Sequence, residues 1–137
     1  MGRWRLLSYV GRAGDGTLIY PLGADPQGSL VYTEGGWMSA HISAGDRVDL
    51  TTADLLGGSE AERAAAFSSY LAYCGPYEVN GDVVVHRVTM SSFPNWVGSE
   101  QTRQFQVTGD ELALRTTPMD VGGTSLVNEL RWRREEV

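Results

Sequence analysis

The 137-residue sequence contains no lysine, one cysteine and two histidines. Without lysine, no side chain can form a Schiff base with a carbonyl substrate. Cys74 has no partner for an internal disulfide, which favours a reducing compartment. One cysteine and two histidines are also too few for a dedicated zinc site, so we expect neither a metal nor another cofactor.

Positively charged residues are fewer than negatively charged ones, 11 against 17, and long apolar runs are absent from the sequence. The net charge is −6 at pH 7, which disfavours nucleic acid and anionic membranes as partners. No apolar run is long enough to cross a bilayer, and the first residues lack the pattern of a signal peptide. We therefore expect a cytoplasmic protein that forms one domain over residues 1–137.

The sequence consists mainly of short strand-like segments separated by Gly, Pro, Asn and Asp. The predicted strands are Arg3–Tyr9, Thr17–Tyr20, Gly28–Thr33, Trp37–Ser43, Tyr77–Val79, Asp82–Met90, Thr102–Val107, Glu111–Thr117 and Ser125–Arg133. Tight turns join several of them, most clearly at Asn80-Gly81. This order predicts an all-β fold, an antiparallel up-and-down barrel of about eight main strands that has no exposed edge.

One segment, Ser59–Tyr73, has the pattern of a helix inserted into this barrel. Ser59 and Glu62 have the spacing of a capping box. The apolar residues at helical spacing are Ala64, Phe67, Leu71 and Cys74. Such a helix either packs on the flank of the barrel or covers one of its ends as a lid.

Alternation along the strands predicts two polar side chains inside the barrel. His86 shares its face with Val84, Val88 and Met90, and Arg103 shares its face with Phe105 and Val107. A buried arginine is costly without a partner. Arg103 is therefore either a structural residue whose guanidinium bonds to backbone carbonyl or carboxylate groups, or it binds an acidic group of a ligand. His86 is either a hydrogen-bonded interior residue or a base.

Two further positions leave alternatives open. Simple alternation places His41 on the solvent side of its strand, whereas a barrel lined by polar groups would place it inside. The loop Phe93–Gly98 contains three large apolar residues, and loops of this kind fold over apolar surface. It is either a plug at one end of the barrel or a rim that contacts a ligand.

The motifs of the chain resemble a known family. They are Gly2-Arg3-Trp4, Tyr20-Pro21-Leu22-Gly23, Leu30-Val31-Tyr32-Thr33, Met38-Ser39-Ala40, Asp54-Leu55-Leu56-Gly57-Gly58, Tyr70-Leu71-Ala72-Tyr73, Phe93-Pro94-Asn95-Trp96-Val97-Gly98 and Leu114-Arg115-Thr116. In this order they resemble the lipocalin-like domain family of small bacterial and fungal proteins. The resemblance implies a calycin-type barrel in which Trp4 packs near Arg131 or Arg133.

Two functions fit these expectations, and a third possibility is a barrel filled by its own side chains. The first function is binding of a small hydrophobic or aromatic molecule, oriented by Arg103 and His86. The predicted lining residues are Trp4, Leu30, Met38, Val84, Met90, Asn95, Trp96, Phe105, Leu114 and Trp132. The charged last strand is compatible with a monomer or a homodimer.

The second function is a cofactor-independent cyclase or isomerase that acts on a polyketide-like or terpenoid intermediate of secondary metabolism. The barrel would fold the substrate into a reactive conformer. His86 or His41 would transfer a proton, and Arg103 or Tyr77 would stabilise developing negative charge.

Overall fold

A computed structural model describes residues 1–136. Its strands are β1 (Gly2–Ala13), β2 (Leu18–Ile19), β3 (Gln27–Tyr32), β4 (Trp37–Ser43), β5 (Tyr70–Asn80), β6 (Val83–Arg87), β7 (Met90–Ser91), β8 (Glu100–Thr108), β9 (Glu111–Thr116), β10 (Met119–Val121) and β11 (Thr124–Glu135). The helix α1 (Glu60–Ser68) lies between β4 and β5, and a single 3-10 turn covers Pro94–Trp96.

The eight longer strands form a closed barrel. In the order β1, β3, β4, β5, β6, β8, β9 and β11, each pairs antiparallel with the next. Pairing of β11 with β1 closes the ring. The three short strands extend the barrel at its ends: β2 pairs with β1, β7 with β5 and β10 with β11. The predicted eight-stranded up-and-down barrel with one inserted helix is confirmed.

The two ends of the barrel differ in their connections. At one end, called here the turn end, short turns join β3 to β4, β5 to β6 and β8 to β9. At the other, called the loop end, the connections are the longer segments 14–26, 44–69, 88–99 and 117–123. Longer connections at one end of a barrel are where access to the interior and specificity usually reside.

Alternate residues of each strand face the interior. On β4, Met38, Ala40 and Ile42 are buried, whereas Trp37 and His41 are exposed. Alternation therefore places His41 on the outer surface. The core contains Trp4, Leu6, Leu30, Tyr32, Met38, Ala40, Ile42, Tyr73, Val84, Val88, Leu112, Leu114, Leu130 and Trp132. Complete burial of a large apolar side chain of this kind stabilises the fold by roughly 1.5–3 kcal/mol.

An arginine of the last strand packs on Trp4 near the turn end. The Cζ atom of Arg134 lies 4.2 Å from the centroid of the Trp4 ring, and Arg134 pairs with Trp4 across β1 and β11. The resemblance implied Arg131 or Arg133 for this role, and that expectation is wrong. Arg131 and Arg133 occupy the alternate, outward positions of β11, where they pair with Glu129 and Glu111.

The helix is shorter than predicted. The capping box of Ser59 and Glu62 is confirmed, but α1 ends at Ser68 and β5 begins at Tyr70. The predicted helical stripe therefore fails at Leu71 and Cys74, which belong to β5 and pair with β4. No residue of α1 is buried, so the helix is not part of the core. Within residues 1–136, no helix combines the length and apolarity needed to span a bilayer.

Candidate functional site

Three polar side chains from three strands meet inside the barrel. His86 on β6 is completely buried. The Tyr32 hydroxyl at the end of β3 lies 2.7 Å from its Nε2 atom, and the Tyr73 hydroxyl on β5 lies 2.8 Å from its Nδ1 atom. Both ring nitrogens of the histidine are therefore hydrogen-bonded.

The protonation states of these three groups follow from their burial. Burial, with the positive charge of Arg103 adding to it, lowers the pKa of His86 to about 3. Burial also raises the pKa of Tyr32 and of Tyr73. At neutral pH the imidazole is therefore neutral and both phenols keep their protons.

A neutral imidazole has one N–H donor and one acceptor nitrogen. One tyrosine hydroxyl therefore donates to His86, and the other accepts from it. The accepting hydroxyl keeps its own hydrogen, which is free to donate elsewhere. Within residues 1–136, neither Tyr32 nor Tyr73 forms a side-chain hydrogen bond to an acceptor other than His86. The trio thus presents one hydrogen-bond donor that it does not use itself.

Arg103 lies beside this trio. Its side chain is buried, as predicted, and one guanidinium N–H donates to the Thr102 carbonyl over 3.1 Å. Its charge acts on the pKa values of Tyr32, Tyr73 and His86. Within residues 1–136, none of the ion pairs involves Arg103.

A row of polar residues continues from Arg103 around the barrel. Arg103 pairs with Thr116 on β9, and the Thr116 hydroxyl accepts a hydrogen bond from the backbone N–H of Asn128 on β11 over 3.0 Å. Asn128 is buried, and both atoms of its side-chain amide lack a partner within residues 1–136. Gly11 on β1 completes the row, and its missing side chain leaves room for Asn128, since a Cβ atom there would lie 2.9 Å from Oδ1.

An aromatic cluster covers the polar groups at the loop end. The Trp96 ring is half-buried and meets the Tyr73 ring edge to face, with 5.2 Å between their centroids. The Cζ atom of Arg103 lies 5.8 Å from the Trp96 centroid. Phe93 packs on the outer side of Trp96 at 6.2 Å. The 3-10 turn Pro94–Trp96 thus directs its tryptophan inwards, whereas Asn95 and Val97 face solvent.

The structure separates the ten predicted lining residues into three groups. Six are buried in the core, namely Trp4, Leu30, Val84, Met38, Leu114 and Trp132. Trp96 and Phe105 are half-buried and pack against that core. Met90 and Asn95 are exposed.

One predicted inward orientation is wrong. Met90 is 68% exposed, because the chain bends after Arg87 and Met90 begins the separate strand β7 on β5. Val107 shares the inward face with its cross-strand partner Leu112, but it is 50% exposed because it lies near the end of β8.

Of the four predicted catalytic residues, His86 and Arg103 are buried in the barrel, and Tyr77 pairs with His86 across β5 and β6 and packs its ring against Tyr32 at 4.8 Å. The His41 ring lies outside the barrel, where its Nδ1 atom is 2.6 Å from the Tyr70 hydroxyl. The Tyr77 hydroxyl donates to the Thr33 carbonyl over 2.7 Å, close to the turn that joins β3 to β4.

Tyr32, Tyr73 and Asn128 are members of the polar cluster that sequence reasoning missed. Tyr32 alternates with Leu30, which was a sufficient signal. Tyr73 was missed because the predicted helix runs to Tyr73, whereas the structure places this residue on β5. Asn128 alternates with Leu126 and Leu130, so the alternation along β11 indicates that it faces inwards.

Two grooves lie elsewhere on the surface. One, of about 420 Å³, runs along β8, β9 and β11 and is lined by residues such as Gln104 and Arg115. The other, of about 540 Å³, lies between α1 and the segment 46–51. Neither is lined by His86, Arg103 or Tyr73.

Comparison with known proteins identifies the family. The model of the lipocalin-like domain matches residues 1–135. The chain belongs to the lipocalin-like domain family. A relative from Aspergillus oryzae, the 4'-hydroxy-3'-methoxypropiophenone carrier protein ppsC, is 37% identical over 90 residues, which span 59% of this chain and 81% of that protein.

Crystal structures of two mutants of the fluorescent protein UnaG are also similar. The first has a TM-score of 0.43 and 16% identity, and the match covers 100% of this chain and 96% of that mutant. The second has a TM-score of 0.39 and 16% identity, and the match covers 98% of this chain and 94% of that mutant.

Proposed function

We propose that this chain binds a small aromatic molecule at the loop end of the barrel interior and carries it without transforming it. The main support for this function is the environment of Arg103. A buried cation without an ion-pair partner within residues 1–136 lies beside the rings of Trp96 and Tyr73. Such an arrangement suits a ligand that has both an aromatic ring and an acceptor oxygen.

The accessible part of the interior is aromatic and apolar. Tyr9, Leu71 and Trp96 are half-buried and pack against the core. By contrast, Leu30, Met38 and Trp132 are almost completely buried and fill their own part of the barrel. We therefore place the ligand towards the loop end, between Trp96 and Arg103, and not along the whole barrel axis.

The relative from Aspergillus oryzae supports a carrier of a phenolic ketone. The molecule in its name has one aromatic ring, one phenol, one methoxy group and one ketone. Its ring matches the aromatic side chains near the loop end, and its oxygens match the donors of Arg103 and the tyrosines. We propose a compound of this chemical class as the ligand of the present chain.

The same geometry disfavours the enzyme hypothesis. With a pKa of about 3, His86 is too weak a base to accept a proton efficiently near neutral pH. His41 lies outside the barrel, and the Tyr77 hydroxyl is already bonded to the Thr33 carbonyl. The groups that remain inside are suited to hydrogen-bonding and orienting a ligand.

Calorimetric titration with 4'-hydroxy-3'-methoxypropiophenone tests the proposal. We expect saturable binding of one molecule per chain and recovery of the compound unchanged. Trp96→Ala should weaken binding about tenfold, because one aromatic contact and one cation–π contact are lost. The control is Trp37→Ala, which removes an exposed tryptophan from the outer face of β4 and should leave the affinity unchanged. Absence of binding, or conversion of the compound, would contradict the proposal.

A further inference from the structure

The charges inside the barrel do not balance. The buried polar residues within residues 1–136 are His86, Arg103, Thr116 and Asn128, and no Asp or Glu of that range is buried. Arg103 brings a guanidinium charge into this interior. Removing such a charge from water without a nearby anion is unfavourable. An anionic ligand oxygen would offset that cost.

The unused hydrogen-bonding groups beside Arg103 are mainly donors. A guanidinium has five N–H donors, and Arg103 uses one of them on the Thr102 carbonyl. The tyrosine pair at His86 supplies one further hydroxyl hydrogen. Several converging donors beside one full positive charge are complementary to an oxyanion.

Extending the proposed function, on which this inference rests, we propose that the aromatic ligand is bound as a phenolate. Its charged oxygen lies between the Arg103 guanidinium and the Tyr73 hydroxyl, and its ring packs against Trp96. These three side chains already lie together, with 5.2 Å between the Tyr73 and Trp96 rings and 5.8 Å from the Arg103 Cζ atom to the Trp96 ring.

A phenol with an acyl group in the para position is suited to this site. The ketone withdraws charge from the phenolate oxygen through the ring, so this phenol ionises more readily than tyrosine does. The adjacent guanidinium favours the ionised form further, by about 1–3 pKa units for an opposite charge within 4–6 Å. Burial opposes this effect and raises the pKa of Tyr73 beside the same guanidinium, so the lower starting pKa of the acyl phenol is what lets the ligand be bound in the ionised form.

The groups that face the ligand position do not themselves titrate near neutral pH. The titratable ones are Tyr9 on β1, Tyr32 on β3, Tyr73 on β5, His86 on β6 and Arg103 on β8. Burial raises the pKa of each of the three tyrosines. Burial and Arg103 lower the pKa of His86 to about 3. A change of affinity with pH, between the pKa of His86 and the pKa values of the tyrosines, therefore reports the ionisation of the ligand.

Two ligands that differ only at the phenol test the inference. These are 4'-hydroxy-3'-methoxypropiophenone and its methyl ether, 3',4'-dimethoxypropiophenone, which cannot ionise. For the phenol, we expect the longer-wavelength phenolate absorption band on binding to the wild-type protein, at a pH where the free compound is neutral. Its apparent Kd should rise about tenfold for each pH unit below the pKa of the free ligand. The methyl ether should bind at least about tenfold more weakly and without pH dependence.

Arg103→Gln should abolish the phenolate band, whereas Arg5→Gln, which removes an exposed arginine from β1, should preserve it. The band in the wild-type protein is decisive even if Arg103→Gln does not fold. Equal binding of both ketones without the band would overturn the phenolate while preserving the carrier function. Tighter binding of 3,4-dimethoxybenzoate than of the phenol would overturn the phenolate and show that the site prefers a carboxylate. If none of the three compounds binds, the proposed function fails as well.

Discussion

The Tyr32 hydroxyl lies 2.7 Å from the Nε2 atom of His86, although β4 and β5 separate their strands around the barrel. The contact therefore crosses the interior. Tyr73 adds a second contact to the same ring, at 2.8 Å. One imidazole thus links β6 to β3, which is not its neighbour in the barrel, and adds a side-chain contact to β5, with which β6 already pairs. Its removal leaves two buried hydroxyls without that partner.

His86→Ala should lower the free energy of unfolding by about 2–5 kcal/mol, because it creates a cavity and leaves buried phenols unpaired. Urea denaturation measures the change. His41→Ala is the matched control on the outer surface, and it should change stability by less than about 0.5 kcal/mol. A double-mutant cycle with Tyr73→Phe should give a coupling energy of about 1 kcal/mol or more. A coupling energy near zero would show that the hydroxyl and the ring do not interact.

Stability should also depend on pH through His86. The folded-state pKa of about 3 lies below the ordinary value of 6.5, so the folded state favours the neutral ring. That contribution is fully present above pH 6.5 and is lost as the pH falls from about 6.5 to about 3. Between pH 6.5 and pH 4.5, the loss should be roughly 2–3 kcal/mol, at about 1.4 kcal/mol per pH unit.

Urea denaturation across that range measures the slope. Glu129, a partly buried carboxylate with a lowered pKa, contributes below its ordinary value of 4.5 and so does not account for the upper part of the range. His86→Gln removes the titrating group, and its profile should be flatter between pH 6.5 and pH 4.5. An unchanged slope in His86→Gln would assign the acid sensitivity to other groups.

Much of the barrel was predictable because its determinants are local. The turn signals and the alternation in segments such as Trp37–Ser43 specify where strands begin and which face is buried. The interior positions of His86 and Arg103 follow from the same alternation. The capping box of Ser59 and Glu62 is a local hydrogen-bonding motif, and it too was predictable.

The errors occur where tertiary pairing overrides local pattern. Leu71 and Cys74 have helical spacing after Phe67, but pairing with β4 holds that segment as a strand. The bend after Arg87, which exposes Met90, has no signal in the alternation. The meeting of Tyr32, Tyr73 and His86 depends on the curvature of the closed barrel, which brings together side chains far apart in sequence.

Gly75 on β5 should tolerate no side chain. A Cβ atom there would overlap the backbone carbonyl of Arg87, and backbone cannot move aside as a flexible side chain can. Gly75→Ala should therefore destabilise the protein by about 3 kcal/mol or more, measured by thermal or urea denaturation. Gly14→Ala is the control, since a Cβ atom at Gly14 meets no atom within 4 Å. Equal stability of the two variants would contradict the close approach of β5 to the Arg87 carbonyl.

Asn128 offers the opposite case, a buried side chain whose replacement should stabilise the fold. Both atoms of its amide lack a partner within residues 1–136, and its neighbours include Leu126 and Gly11. Burial of an unpaired amide costs about 1–3 kcal/mol. Asn128→Leu removes the amide and keeps the branched shape of the side chain, so it should raise the free energy of unfolding by about 1–2 kcal/mol.

Asn95→Leu is the control for this substitution, because Asn95 is exposed and the same change there should be nearly neutral. Urea denaturation of the ligand-free protein compares the two variants. A loss of stability in Asn128→Leu would show that the amide is hydrogen-bonded in solution. A gain would show that the fold retains a destabilising polar group in the row that leads to Arg103, which is the pattern expected of a side chain retained for ligand binding and not for stability.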